Sequence, residues 1–343
     1  MIRILPLTLP LVTPFKTSKG QISKREGLLV RIESDGVVGW GEASPFPGLS
    51  TASLDSVRRE LMSLDATQPD LPTTIETVQR WVYERVSAPS AAHGLGTALL
   101  DCMAQKAGMS FSRFINPDAK SVVPLSHLYT DDDRLFQAIM LGAQTVKIKV
   151  GMVSPSDDIQ RVKAIRKIVG PDVYLRLDAN GAWTESEALS IIDGLLPVGV
   201  RCIEDPVHPD NLDAMARLRG RGIGIVADET INSPTALKAV INCGAADAVV
   251  IKPMRLGTPL TALAIVQMAN QAGLASFVTT TIDGAVGRMT AIHIAAAAPT
   301  DDLWACGLNT GSWIESDVGN TPDMTGSHID TPKLPGLGLS VNA

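Results

Sequence analysis

The chain is poor in aromatic residues, has no excess of basic charge and contains few cysteines. Phe, Trp and Tyr make up 4% of its 343 residues, and the formal net charge is −6. A nucleic-acid surface is basic and often stacks bases on aromatic rings, so that class is excluded. No run of about 18 apolar residues is free of both charge and proline, so no membrane-spanning helix is expected. The four cysteines, Cys102, Cys202, Cys243 and Cys306, form no C-x-x-C pair. Reduced thiols in a cytoplasmic protein are therefore expected, with Cys202 a core thiol two residues before Glu204 on the same strand face. No G-x-G-x-x-G opens a helix, which removes the usual dinucleotide fingerprint. The start, Met1 to Leu7, leads into Pro10 and Pro14 and offers no small-residue cleavage site. It reads as a first β-strand and not as a secretory signal.

What is present is a recurring charge. With 45% hydrophobic and 19% charged residues, the composition is that of a soluble globular chain, long enough for a barrel and a smaller domain. Between residues 146 and 254, apolar strand-like runs each end in charge. They are Val146–Val150, Tyr174–Asn180, Arg201–Pro206, Ile225–Glu229 and Ala248–Pro253. One charge from each gives Lys149, Asp178, Glu204, Asp228 and Lys252, separated by 29, 26, 24 and 24 residues. Such spacing matches one strand–helix unit, so the five charges fall at equivalent points of successive repeats.

Around this segment, strand and helix alternate from Val122 onward. Strands are expected at Val122–Leu128, Ala275–Thr281 and Leu303–Gly307 besides the five charged ones. Helices are expected near 131–141, 155–169, 184–196, 211–219, 233–243, 258–272 and 285–297. Eight strands and seven helices predict an α/β fold, a (β/α)₇β TIM-type barrel over 121–314. Residues 1–120 read as an α+β domain. It has a hairpin turn at Ser34-Asp35-Gly36, a Gly/Pro-shaped loop over Gly39–Ser50 and helices near 51–65, 73–86 and 91–107.

Barrel chemistry collects at the C-terminal ends of strands, where these charges lie. Asp178, Glu204 and Asp228 on adjacent strands repel one another unless a cation neutralises them. Oxygen ligands suit a hard divalent ion, Mg²⁺ first and Mn²⁺ as a substitute. The plainer alternative is structural salt bridging to Lys147, Lys149 and Lys252. Lys149 and Lys252 face each other across the barrel, and strand alternation puts Lys147 on the inward face with Lys149. A free lysine, with a pKa of about 10.4, is a poor base. Burial and neighbouring positive charge, Lys147 beside Lys149, are expected to depress it, so that it can remove a proton beside a carboxylate.

Lys147-Ile148-Lys149, Asp178-Ala179-Asn180, Glu204-Asp205-Pro206, Asp228-Glu229 and Lys252-Pro253 resemble the enolase superfamily, muconate-lactonizing-enzyme subgroup. The resemblance covers essentially the whole chain, because Gly39–Ser50 is similar to that family's capping-domain loop. It implies a capping domain at 1–120, completed by residues 315–343, and a Mg²⁺-dependent enzyme acting on a small carboxylate, without nucleic-acid or membrane partners. Homo-oligomerisation is left open. It further implies that Asp178, Glu204 and Asp228 ligate the metal, that Lys149 is the base supported by Lys147, and that Lys252 acts from the opposite face.

Within the subgroup, Ser44–Ser50, Thr279–Arg288 and Cys306–Trp313 resemble segments of the o-succinylbenzoate synthases. That implies a lyase of menaquinone or phylloquinone biosynthesis, dehydrating a succinyl-hydroxycyclohexadiene carboxylate. The helix after the seventh strand would then offer free N–H groups to a substrate carboxylate. Substrate contacts are expected from Asn180, Phe46, Thr280, Thr281, Asp283, Gly307 and His127. The alternative is a racemase or epimerase of N-acylated amino acids, with Lys149 and Lys252 as a two-base pair. Dipeptide epimerases of the subgroup carry D-x-D on the eighth strand, where this chain has Ala305-Cys306-Gly307. A non-catalytic scaffold has no need of all five charges.

Overall fold

The computed structural model describes residues 1–17 and 20–342. Its N-terminal part is a three-stranded antiparallel sheet, β1 (Ile2–Thr17), β2 (Gly20–Ser34) and β3 (Val37–Ala43). Ser34 pairs with Val37, leaving Asp35 and Gly36 as a two-residue turn with φ of 53° and 77°. Both positive angles belong to the turn type that matches strand twist, as the Ser34-Asp35-Gly36 reading predicts.

Four helices follow: α1 (Leu54–Thr67) and α3 (Pro89–Lys106) pack on this sheet, while α2 (Ile75–Tyr83) and the short α4 (Phe111–Ile115) pack against α3. Small residues let α3 lie directly on the sheet. A Cβ placed on Gly41 would come within 1.8 Å of the Gly94 carbonyl oxygen, so side chains are excluded there.

The remaining chain alternates. In order come β4 (Val122–Pro124), β5 (His127–Leu128), α5 (Asp132–Met140), β6 (Thr145–Lys149), α6 (Pro155–Val169), β7 (Tyr174–Asp178) and α7 (Glu185–Leu195). Then follow β8 (Val200–Glu204), α8 (Leu212–Leu218), β9 (Gly224–Ala227), α9 (Pro234–Cys243), β10 (Ala248–Ile251), α10 (Pro253–Leu256), α11 (Pro259–Gln271), β11 (Ala275–Val278) and α12 (Ala285–Ala297). A last strand, β12 (His328–Asp330), pairs antiparallel with β4. Helix starts are written locally: Ser154, Ser233 and Thr258 cap α6, α9 and α11, each followed by proline, and Thr184 with Glu187 forms a reciprocal capping box on α7.

Seven parallel strands run in the order β11-β10-β9-β8-β7-β6-β5. The sheet curls until its edges meet through Cys306 and Gly307, which bridge to Leu125 and Thr279. The expected eighth strand is thus reduced to two bridging residues, and the expected first strand is split at Leu125-Ser126 into β4 and β5, with the Pro124 carbonyl accepting from Cys306 N–H. The TIM-type barrel with an N-terminal α+β part is the observed architecture. The C-terminal segment returns to that part: Glu315 N–H donates to Pro10, and Leu337 N–H to the Asp101 carboxylate.

Candidate active site

The five recurring charges converge. Register brings Lys149 level with Asp178, and Asp178 level with Glu204. One carboxylate oxygen from each of Asp178, Glu204 and Asp228 lies within 4.8 Å of the others, and all three residues are buried. Glu204 Oε1 and Asp228 Oδ1 are buried without a hydrogen-bond partner. Three clustered carboxylates, two of them with an orphaned oxygen, fit a divalent cation, whose charge would satisfy what protein donors leave open.

The lysines border this row. Lys149 Nζ donates to Asp178 Oδ2 at 2.6 Å and Lys252 Nζ to Asp228 Oδ2 at 2.6 Å, at opposite ends of the carboxylate row. Lys147 lies between the carboxylates, 2.8 Å from Asp178 Oδ2 and bonded to Glu204 Oε2. Burial pulls the Lys147 pKa down, but Asp178, Glu204 and Asp228 outweigh it and hold the value well above the ordinary lysine range. This corrects part of the sequence reading. Lys147 does place positive charge beside Lys149, but that charge is neutralised by carboxylates on the spot.

The carboxylates respond unequally. Burial raises all three, yet Lys147 and Lys149 win at Asp178, and Lys252 and Lys147 win at Asp228, so both end below the usual range. At Glu204 burial wins over Lys147, and the carboxyl is pushed up.

Other expected contacts divide into two groups. Asn180 joins the charged side: in a left-handed conformation (φ 45°), its Oδ1 accepts from Lys149 Nζ at 2.6 Å. The loop that carries Phe46 rests on α10. Ser44 N–H contacts Met254 Sδ, two residues past Lys252. Phe46 itself is buried, edge-on to Phe15 at 6.2 Å.

The opposite side of the mouth is lined mainly by hydroxyl, amide and imidazole groups bonded within the protein, with one buried carboxylate, Asp283. Thr280 Oγ1 meets Thr310 Oγ1 at 2.7 Å, and Thr281 donates to buried Asp283 at 2.5 Å. Gly307 spends its backbone on closing the barrel, through Val278 and Thr280. His127 sits between two partners, Gly326 O at 2.8 Å from Nε2 and Asn309 Nδ2 at 3.1 Å from Nδ1. The amide nitrogen can only donate, so Nδ1 accepts and Nε2 carries the proton. Burial lowers the His127 pKa, which agrees with a neutral ring. Expected as a substrate contact, His127 has both ring nitrogens taken by protein partners.

A second correction concerns the N-terminus of α12. Its N–H groups are filled by protein carboxylates: Gly284 and Gly287 donate to Glu42 at 2.8 and 2.9 Å, and Ala285 donates to Asp317 at 3.0 Å. A substrate carboxylate finds those donors occupied.

Two residues at the site, Asp205 and Arg176, have a role that the sequence does not assign. Asp205 (φ 39°) accepts from Asp228 N–H and Glu229 N–H, fixing the backbone that carries a carboxylate of the row. Arg176 lies 3.8 Å over the Phe277 ring and 3.8 Å from Glu204 Oε1, below the row. Alternation from Asp178 gives the signal for Arg176, since both point inward. For Asp205 no such periodic signal exists.

Barrel and site together define a protein whose chemistry sits at the C-terminal ends of β6 to β10. The chain belongs to the enolase superfamily, in the muconate-lactonizing-enzyme subgroup. Residues 133–343 match the enolase C-terminal domain-like family, and residues 2–115 the mandelate racemase / muconate lactonizing enzyme N-terminal domain. It is 30% identical to the L-Ala-D/L-Glu epimerase of Bacillus subtilis, over 97% of this chain and 94% of that one. It is 26% identical to the N-succinyl-L-Arg/Lys racemase of Bacillus cereus, over 99% and 95%. Muconate cycloisomerase 1 of Acinetobacter baylyi is 26% identical over 97% and 94%. The solved structure of the Enterococcus faecalis dipeptide epimerase, a complex with Mg and L-Leu-L-Tyr, superposes with a TM-score of 0.88 at 25% identity, covering 99% and 98%.

Proposed function

We propose that this enzyme is a Mg²⁺-dependent racemase or epimerase of N-acylated amino acids, moving a proton at the carbon beside a carboxylate. The observation that carries this is the pair of lysines at opposite ends of the carboxylate row, Lys149 on Asp178 and Lys252 on Asp228. Two lysines on opposite sides of one carbon, one neutral and the other protonated, can remove the proton from one face and return one to the other, which inverts its configuration. Asp178, Glu204 and Asp228 would hold the Mg²⁺, and the bound ion supplies positive charge against which negative charge on the substrate carboxylate develops. Asn180 orients Lys149 through its side-chain oxygen. Lys147 keeps the carboxylates of Asp178 and Glu204 in place.

The lead over an o-succinylbenzoate synthase rests on two points. The relatives named above include an epimerase and a racemase, and the α12 N–H groups on which the synthase expectation leaned are occupied by Glu42 and Asp317. An acylated nitrogen is favoured over a free amine by the mainly uncharged side of the mouth. His127, Asn309, Thr280 and Thr310 offer no anionic partner for an ammonium, and Asp283 is buried on Thr281. Uncharged surroundings of this kind suit an acylated nitrogen, which carries no charge.

The test is a panel assay of the purified protein with Mg²⁺, using N-succinyl and N-acetyl amino acids, unblocked dipeptides and the cyclohexadiene acid. Racemisation of acylated amino acids with inert dipeptides is the expected result. Rapid dehydration of the cyclohexadiene acid alone would replace this reading by the synthase.

A further inference from the structure

Arg25 belongs to β2 in the N-terminal sheet, yet its side chain reaches the barrel. It is 1% exposed, one of the largest fully buried side chains. Nη2 donates to Ser44 O at 2.7 Å, Nη1 to Pro45 O at 3.3 Å and Nε to Ile282 O at 3.2 Å. Its guanidinium carbon lies 4.8 Å from the centre of the Phe46 ring. A buried cation is costly, and the nearby carboxylates of Asp283 and Glu42 offset part of that cost. What the guanidinium adds is a planar fork whose donors join three backbone carbonyls from two parts of the molecule.

The far partner is unusual. Ile282 has φ 58°, the one β-branched residue among the described non-glycine residues with positive φ. The left-handed region is strongly disfavoured for such a side chain, and strain of this kind persists where surrounding contacts hold it. Here the contacts come from the N-terminal part: Arg25 takes the Ile282 carbonyl, and Glu42 takes the N–H groups of Gly284 and Gly287. Thr279, Thr280 and Thr281 lead into this turn, next to the strand that ends at Lys252; Thr279 N–H donates to Ile251. On the near side, Arg25 backs Phe46, which meets Phe15 edge-on, and Phe15 in turn meets Trp313 at 5.2 Å.

We propose that Arg25 is a positioning residue that locks the Ser44–Phe46 loop to the strained Ile282 turn and thereby sets which substrate side chain the mouth admits. It touches no reacting atom. It acts through Phe46 and through the peptide that follows Thr281.

The experiment compares wild type with Arg25→Lys and Arg25→Met. Lysine keeps the charge, but one ammonium cannot serve three carbonyls with the same geometry. In the first arm, amide hydrogen exchange is followed by mass spectrometry on the Mg²⁺-loaded protein. Arg25→Lys should lose protection together over 44–50 and 282–288, with native circular dichroism and Mg²⁺ affinity unchanged within about twofold. In the second arm, which rests on the proposed racemase reading, KM and kcat are measured for N-acyl amino acids of small and large side chain. KM should rise about tenfold for the large side chain, with kcat within about threefold and less change for the small one. Arg25→Met should exceed Arg25→Lys in both arms; if it does not fold, Arg25→Lys decides alone. Unchanged protection, loss in only one segment, or an equal fall in kcat/KM for every substrate would overturn the proposal. Should wild type turn over no N-acyl amino acid, the racemase reading fails, and the exchange arm still decides the role of Arg25.

Discussion

The two halves of the barrel mouth are built on different principles. Over β6 to β10 every strand end brings a charge, and the charges bond to one another across neighbouring strands. Over β11, the Cys306–Gly307 bridge and β5, the groups are threonines, an asparagine and a neutral histidine, tied to loops and to the N-terminal part. On the proposed reading, the charged half would carry out chemistry that many substrates share. The other half and the Ser44–Ser50 loop can vary without touching that chemistry, so on the same reading they would tell substrates apart.

Breaking the charged half should have the largest effect. Lys149→Ala and Lys252→Ala should each abolish racemisation, with a loss of about 10³-fold or more in kcat on the same acylated amino acid. A loss under tenfold at either lysine would make the two halves less distinct than described. Next in size is the metal. Glu204→Gln should weaken Mg²⁺ binding about 100-fold, measured by calorimetry, while the melting temperature of the metal-free protein is kept or raised. Chelation should stop turnover, and Mg²⁺ should restore it.

The join between the halves gives a pH signature. Burial, and then nearby Asp283, push the Glu42 carboxyl up to about 7 from its ordinary 4.5. The folded protein therefore binds a proton that the unfolded chain has released over that window. The stability tied to this proton is present below pH 4.5 and is lost as pH rises through 7, a change of about 3 kcal/mol. Glu42→Gln should remove that slope from chemical denaturation curves taken between pH 5 and about 8. An unaltered slope would mean that Glu42 stays ionised against α12. Smallest of all should be His127→Asn, which alters the other half at a residue bonded only to protein: KM should change by about threefold or less, with kcat unaffected.

The charged half was legible because strand–helix repeats have a fixed length and place like positions in register. Lys149, Asp178, Glu204, Asp228 and Lys252 could thus be read from spacing alone, and the barrel with them. The Asp35-Gly36 turn was legible for a local reason, its need for positive φ. The other half was not, because its geometry is decided between residues far apart in sequence. Glu42 and Gly284 are 242 residues apart, and so the filled N-terminus of α12 looked open. Arg25 lies 257 residues from Ile282, and nothing in Lys24-Arg25-Glu26 distinguishes it from an exposed charge. His127 was noticed for its place at a strand end, but its partners Asn309 and Gly326 carry no periodic signal. Leu303–Gly307 reads as a strand from its apolar run, whereas the barrel needs only two residues there to close.

The central claim is that one carbon is reached by two lysines from opposite sides, and solvent deuterium tests it most directly. Both enantiomers of an N-succinyl amino acid are incubated separately with Mg²⁺-loaded protein in D₂O, and α-deuterium is followed by NMR. Wild type should place deuterium at the α-carbon of both. Lys149→Ala and Lys252→Ala should each exchange one enantiomer, not the same one, and racemise neither. If one variant exchanges both enantiomers, or if the same enantiomer survives in both variants, a single base does the work and the two-sided account is wrong.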